Sequence, residues 1–340
     1  MQSDSQTRRQ IVAGGLAALA APLLPGCKPS GQKRQAIAKV LRPRQQHWVG
    51  DGFRVSTVFS PHIIDAQLLS PFVLLDHARP RHFEPATQPR GVGEHPHRGF
   101  ETVTFAYQGE VEHRDSHGGG GTVSAGDVQW MTAASGVVHE EFQSRAFTKT
   151  GGIFEMVQLW VNLPAKDKMG SPAYQRLPAE SFPSFELGDA TARLVAGELH
   201  GKRGPAVTHS PMTVFDIEFA KVGEVSFQLA EQTTTLLLML RGNATVQGAQ
   251  SIGIGELVVF DRASSGAVTL SADADTQVLV LNGQPLEEPV VAHGPFVMNT
   301  KEEIVQAIHD FQAGKMGRLA PKESKESKES NEGKEAPWES

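Results

Sequence analysis

Short runs along this chain alternate apolar and polar side chains with the period of two that a half-buried β-strand requires. Phe53-Arg54-Val55-Ser56-Thr57-Val58-Phe59 and Thr102-Val103-Thr104-Phe105-Ala106-Tyr107 show it, as does Phe154-Glu155-Met156-Val157-Gln158-Leu159-Trp160-Val161. Pro71-Phe72-Val73-Leu74-Leu75-Asp76-His77 and Gly126-Asp127-Val128-Gln129-Trp130-Met131 read as further strands. Gln108-Gly109-Glu110 and the run Gly118-Gly119-Gly120-Gly121 mark turns between them. After about residue 190 a similar set begins: Val214–Phe219, Val225–Leu229, Thr235–Leu240, Glu256–Phe260 and Gln277–Leu281. Arg241-Gly242-Asn243 and Gly253-Ile254-Gly255-Glu256 stand where the first set has Gln108-Gly109-Glu110 and Ser124-Ala125-Gly126-Asp127. The recurrence predicts an internally duplicated β-barrel. One segment, Lys301–Ala313, keeps the helical period, with Ile304, Ile308 and Phe311 on one face.

The ends of the chain differ from this body. Residues 1–30 read as a targeting segment, with an apolar run from Ile11 to Leu24 that is too short to span a bilayer but suits a signal peptide. Arg8-Arg9 before that run resembles a twin-arginine export signal, an ordinary secretory n-region being the alternative. Leu24-Pro25-Gly26-Cys27 resembles a lipoprotein cleavage box, so Cys27 is the expected lipid anchor and the one expected membrane contact. Residues 31–50 are polar and basic and read as a linker. The barrels then occupy 51–175 and 176–317, and 318–340, with its Lys-Glu-Ser repeats, reads as a disordered charged tail. The expected location is the periplasm or cell envelope, or the cytoplasm if the signal is not used.

Composition narrows the class. With 34 Gly and 21 Pro in 340 residues, a turn-rich β protein fits better than a helical bundle. The net charge of −6, without a basic stripe, argues against a nucleic-acid partner. Cys27 is the single cysteine, so the mature body has neither disulfides nor thiol chemistry.

The chemistry resides in two pairs, His95-Pro96-His97 and His139-Glu140-Glu141. Residues i and i+2 of a strand project to the same side, roughly 6–7 Å apart. Two such pairs on neighbouring strands bring three imidazoles and one carboxylate to a point inside a barrel. That 3N/1O set suits a divalent first-row metal and leaves positions open for substrate or O₂. Glu140 should face away by alternation.

The surrounding residues carry a family resemblance. His95-Pro96-His97-Arg98-Gly99-Phe100-Glu101-Thr102-Val103 and Gly136-Val137-Val138-His139-Glu140-Glu141 resemble the two metal-binding motifs of the pirin family within the cupin superfamily. Gln158–Met169 and the C-terminal His293-Gly294-Pro295-Phe296-Val297-Met298-Asn299-Thr300 are similarly pirin-like, so the resemblance spans roughly residues 40–317. It implies an all-β bicupin: two face-to-face jelly-roll barrels with a short C-terminal helix and metal only in the first. It also implies His95, His97, His139 and Glu141 as ligands. Glu101, the ligand in the general cupin pattern, then becomes a carboxylate behind the ligands or an occasional ligand, with a core-edge carboxylate holding Arg98 or a histidine as the alternative. Iron is the expected metal, with manganese, nickel, cobalt, copper and zinc as alternatives.

The resemblance implies a dioxygenase of the quercetin 2,3-dioxygenase type, acting on a flavonol or catechol-like substrate and O₂, with Glu141 as catalytic base. A non-enzymatic, redox-responsive metalloprotein that binds an envelope partner is the alternative. A monomer is expected. His113 and His117, beside the glycine run, read as exposed loop histidines, with a place at the pocket mouth as the alternative. His200 and His209 lack paired partners. Trp130, Met131 and Phe154 read as barrel-wall residues, and Arg98 as a turn residue or the holder of a carboxylate.

Replacing Arg8 and Arg9 by lysine should leave unprocessed precursor in the cytoplasmic fraction. Normal maturation of that variant would contradict twin-arginine export.

Overall fold

The computed structural model describes residues 33–321; the expected signal, Arg8-Arg9, Cys27 and the tail from residue 322 lie outside the described residues. Two seven-stranded and two four-stranded antiparallel sheets carry the fold. The first large sheet runs in the order Ala173–Leu177, Val128–Thr132, Phe100–Gln108, Gly152–Asn162, Phe72–Phe83, Phe53–Phe59, His47–Val49. Opposite it stands a four-stranded sheet, Gly91–His97, Val137–Gln143, Val111–Asp115, Gly120–Val123. The second half repeats the plan, its large sheet centred on Thr234–Arg241, Thr276–Gly283 and Met212–Phe219.

Alternation along each strand decides what fills which layer. On Phe100–Gln108, Val103, Phe105 and Tyr107 point out of the first barrel. There they join Leu236, Leu238, Leu240 and Leu279 of the second barrel in one continuous apolar core, so the two large sheets pack face to face. Ala106 points the other way, into the first barrel with Phe53, Phe83, Phe147 and Phe154. The second barrel is filled by apolar side chains, among them Phe215, Phe219, Phe227 and Leu270.

Two segments depart from the expected organisation. Residues 31–50, read as a linker, carry two strands. Ile37–Leu41 pairs with Leu257–Phe260 at the edge of the second large sheet, and His47–Val49 pairs with Phe53–Phe59 in the first. A sheet edge with free N–H and C=O groups is stabilised by such a covering strand, and the short pattern Ile-Ala-Lys-Val-Leu does not advertise a partner so distant in sequence.

The second departure is the C-terminal segment, which returns to the first barrel. The hairpin Val291–His293/Phe296–Met298 and the helix Lys301–Gln312 follow it. Phe296, Met298, Ile304, Ala307 and Met316 pack on Val138, on the outer face of the first small sheet. Thr300 and Glu303 form a reciprocal capping box that starts the helix. Its buried stripe is Ile304, Ala307 and Asp310, whereas Phe311, expected on the apolar face, is 38% exposed.

Leu238 is fully buried between the large sheets. Leu238→Ala should therefore cost about 2–5 kcal/mol of stability, read as a lowered urea midpoint with an unchanged slope. An unchanged midpoint would contradict this packing.

Candidate metal centre

Strand Gly91–His97 lies at the edge of the first small sheet, which is why Pro96, lacking a backbone N–H, is accommodated within it. Its neighbour Val137–Gln143 sets His139 directly opposite His95, and Val137 opposite His97. Between His139 and Glu141 the register shifts by a bulge, a local kink that re-aims side chains. Gly91 is required beside it: a β-carbon there would lie 2.2 Å from the Glu141 carbonyl oxygen.

Three imidazoles converge as a result. Ring centroids are 4.2 Å apart for His95 and His139, 4.8 Å for His97 and His139, and 4.9 Å for His95 and His97. Their candidate ligand nitrogens all lie within 4.8 Å of one another. His139 and His97 are buried, at 0% and 3% exposure, and His95 is half-buried. Each Nδ1 is already engaged: His95 with the Gly93 carbonyl at 2.8 Å, His97 with the Pro295 carbonyl at 3.4 Å, and His139 with His113 Nδ1 at 3.3 Å. The His139 Nε2, by contrast, is buried without a hydrogen-bond partner among the described residues. An orphaned buried polar atom costs about 1–3 kcal/mol. A metal ion on that nitrogen would remove the penalty, so the residues fit one. Burial, followed by the neighbouring imidazoles, pushes His97 and His139 well below the ordinary histidine range. Both rings are thus neutral near pH 7, the form that ligates.

Glu141 stands apart from the first group. It forms a second one with His139 and His113, within the same 4.8 Å limit, and its Oε1 accepts from Thr104 Oγ1 at 3.4 Å. The structure thus brings His95, His97 and His139 together and joins Glu141 to them through His139.

His113, expected in an exposed loop, is 1% exposed on strand Val111–Asp115, where it pairs across from Glu141. The alternation Val111-Glu112-His113-Arg114-Asp115, with the odd positions buried, was the signal for it. His117 does lie exposed in the following turn.

Of the readings open for Glu101, the structure shows the buried carboxylate beside a histidine. It shares the face of Phe100–Gln108 that carries Val103, opposite to Thr104, because one residue along a strand reverses the side. Its Oε1 accepts from Thr132 Oγ1 at 2.7 Å and lies 4.0 Å from His209 Nε2, so it does not stand behind the ligands. Burial raises its pKa. His209 in turn lies 3.5 Å from Asp167.

Arg98 is buried and donates to Asp310 Oδ2 at 2.9 Å and to the Ser135 carbonyl at 2.7 Å, tying the C-terminal helix to the motif. Gly99 beside it has φ +87, and a β-carbon there would meet the Val297 carbonyl at 2.0 Å. Glu140 faces outward and accepts from Arg114 Nε at 2.8 Å. Trp130 packs between the barrels, and Phe154 within the first. Met131 packs with Val137 and Ala133.

Known proteins resemble this chain over most of its length. A family model described as Pirin matches residues 52–161, and one described as Pirin C-terminal cupin domain matches residues 214–317. A Pseudomonas aeruginosa protein named "Putative quercetin 2,3-dioxygenase" is 50% identical over 275 residues, covering 80% of this chain and 95% of its own length. Human pirin is 32% identical over 291 residues, covering 84% of this chain and 95% of its own length. The crystal structure of a quercetin 2,3-dioxygenase from Acinetobacter baumannii is 47% identical, with a TM-score of 0.81, covering 84% of this chain and 100% of that one. The all-β bicupin fold is therefore established, and the chain belongs to the pirin family of the cupin superfamily.

Proposed function

We propose that the first barrel holds one divalent metal between His95, His97 and His139, with Glu141 as the oxygen donor. We propose further that the protein is a metal-dependent dioxygenase of the quercetin 2,3-dioxygenase type. The observation that carries this reading is the convergence of three imidazoles, one with a buried Nε2 that has no hydrogen-bond partner among the described residues, two residues from a buried carboxylate. The names of the two relatives above 45% identity support the substrate class.

Iron is the proposed metal, and manganese, nickel, cobalt, copper and zinc suit the same donors. When bound, it would supply a redox-active centre with open positions for a deprotonated substrate and O₂. The remaining work falls to the protein. Glu141 accepts the flavonol hydroxyl proton as general base. Phe100 and Trp160, with ring centroids 5.0 and 5.2 Å from His97, offer an aromatic wall. His95, the most accessible of the three, marks the side from which substrate approaches. The export reading of residues 1–30 accompanies this proposal: a route that moves folded proteins would let the metal enter before export.

His97→Ala should remove most bound metal, measured by elemental analysis of the purified protein; full stoichiometry would contradict the ligand assignment. The depressed pKa values of His97 and His139 give the pH dependence of the metal-free protein. The unfolded chain binds protons at these positions below about pH 6.5, whereas the folded chain resists them. Stability is therefore present above that pH and lost as pH falls through and below it, which denaturant titrations from pH 7.5 to 5 would show.

Metal-loaded protein should consume O₂ with quercetin. Glu141→Gln should slow turnover by about 10²–10⁴-fold, with metal content measured in parallel to separate base chemistry from ligation. Absence of flavonol-dependent O₂ uptake with every metal named would overturn the dioxygenase reading and favour a non-enzymatic metalloprotein with a protein partner.

A further inference from the structure

Behind His139 lies a buried polar chain that neither ligation nor base catalysis uses. Tyr174 donates from its hydroxyl to Gln129 Oε1 at 3.2 Å, which fixes the amide so that its Nε2 donates to His113 Nδ1 at 3.1 Å. His113 Nδ1 is then an acceptor, and a neutral imidazole accepting at Nδ1 carries its proton on Nε2. That Nε2 is buried, has no hydrogen-bond partner among the described residues, and faces Asp115 Oδ2 at 3.7 Å. Asp115 is held in turn by the backbone N–H groups of His117 and Gly119, at 2.8 and 2.9 Å on Oδ1. Gly119 leaves room for it, since a β-carbon there would lie 2.2 Å from Asp115 Oδ2.

The tautomer of His139 follows. Two facing lone pairs 3.3 Å apart would repel, so the His139 Nδ1 carries the proton and shares the His113 Nδ1 lone pair with the Gln129 amide. Its proton is thereby placed on Nδ1, and the lone pair on the orphaned Nε2 is turned to the metal side. We propose that His113 is a positioning residue: the chain Asp115–His113–His139 sets the tautomer, the ring orientation and the basicity of one metal ligand. Carboxylates and carbonyls behind ligating histidines act this way in general; here an imidazole is interposed, and its ring stacks on Tyr174 at 5.3 Å, which holds its plane. The inference rests on the metal reading above.

The test uses the full chain, freed of metal and titrated with Co(II) against a competing chelator, with the visible Co(II) spectrum recorded. His113→Phe should weaken Co(II) binding by about 10–100-fold. His113→Asn, whose side-chain oxygen replaces Nδ1 as acceptor, should recover most of the affinity and the wild-type spectrum. Asp115→Asn should weaken binding less than His113→Phe and shift the spectrum without a change of coordination number. Circular dichroism of the metal-free variants separates misfolding from lost positioning; if His113→Phe does not fold, the Asn variants carry the comparison. Wild-type affinity in His113→Phe, or no recovery in folded His113→Asn, would overturn the inference. A His113→Asn spectrum that has lost a nitrogen donor would also overturn it, because His113 would then be a ligand itself. Wild-type protein that binds no Co(II) would instead take down the metal reading on which the inference stands.

Discussion

Antiparallel register across one four-stranded sheet governs the rest of this molecule. His139 must lie opposite His95 on one side, and Glu141 opposite His113 on the other. A slip by one residue would send every one of these side chains to the outer face, exchanging His139 for Glu140, which now pairs with Arg114 in the outer layer. Several features hold the register. The bulge between His139 and Glu141 interrupts regular pairing at one point only, and the close backbone approach at Gly91 fixes where that point falls. Apolar Val138, between the ligands, is pinned outside by Phe296 and Met298.

That last contact explains why the second barrel and its C-terminal arm matter to a site they do not line. The large sheets pack together through one shared core, which gives the arm a fixed origin. From there the hairpin and helix return to the first barrel, where the Pro295 carbonyl meets His97 and Asp310 meets the buried guanidinium of Arg98. Arg98 follows His97 directly, so the ion pair restrains the ligand strand from outside. Hydrogen bonds from Lys315 and Arg98 hold the Asp310 carboxyl far below its usual range. It therefore stays ionised throughout the neutral region, and the latch does not weaken there.

The sequence was most legible where a single period decides placement. The pairs His95/His97 and His139/Glu141 could each be read as sharing one face because residues i and i+2 of a strand project to the same side. Duplication was legible for the same reason, since alternating runs and glycine turns recur in order. What escaped depended on contacts distant in sequence or on single-residue parity. His113 sits on a strand of only five residues directly before the glycine run, too short for its alternation to stand out from the turn. Glu101 lies one position from the inward face, and a one-residue difference sends it to Thr132 and His209. Residues 37–41 find their partner strand at 257–260, a pairing that local pattern does not encode. The partner of Arg98, Asp310, was hidden by a similar separation.

The central claim is that the three converging imidazoles hold a metal, and anomalous diffraction from crystals of natively purified protein tests it most directly. The account predicts one peak per chain, about 2.0–2.1 Å from an imidazole nitrogen of each of His95, His97 and His139, with a Glu141 oxygen completing the set. No peak at that point, or one bound through His113 in place of His95 and His97, would contradict it.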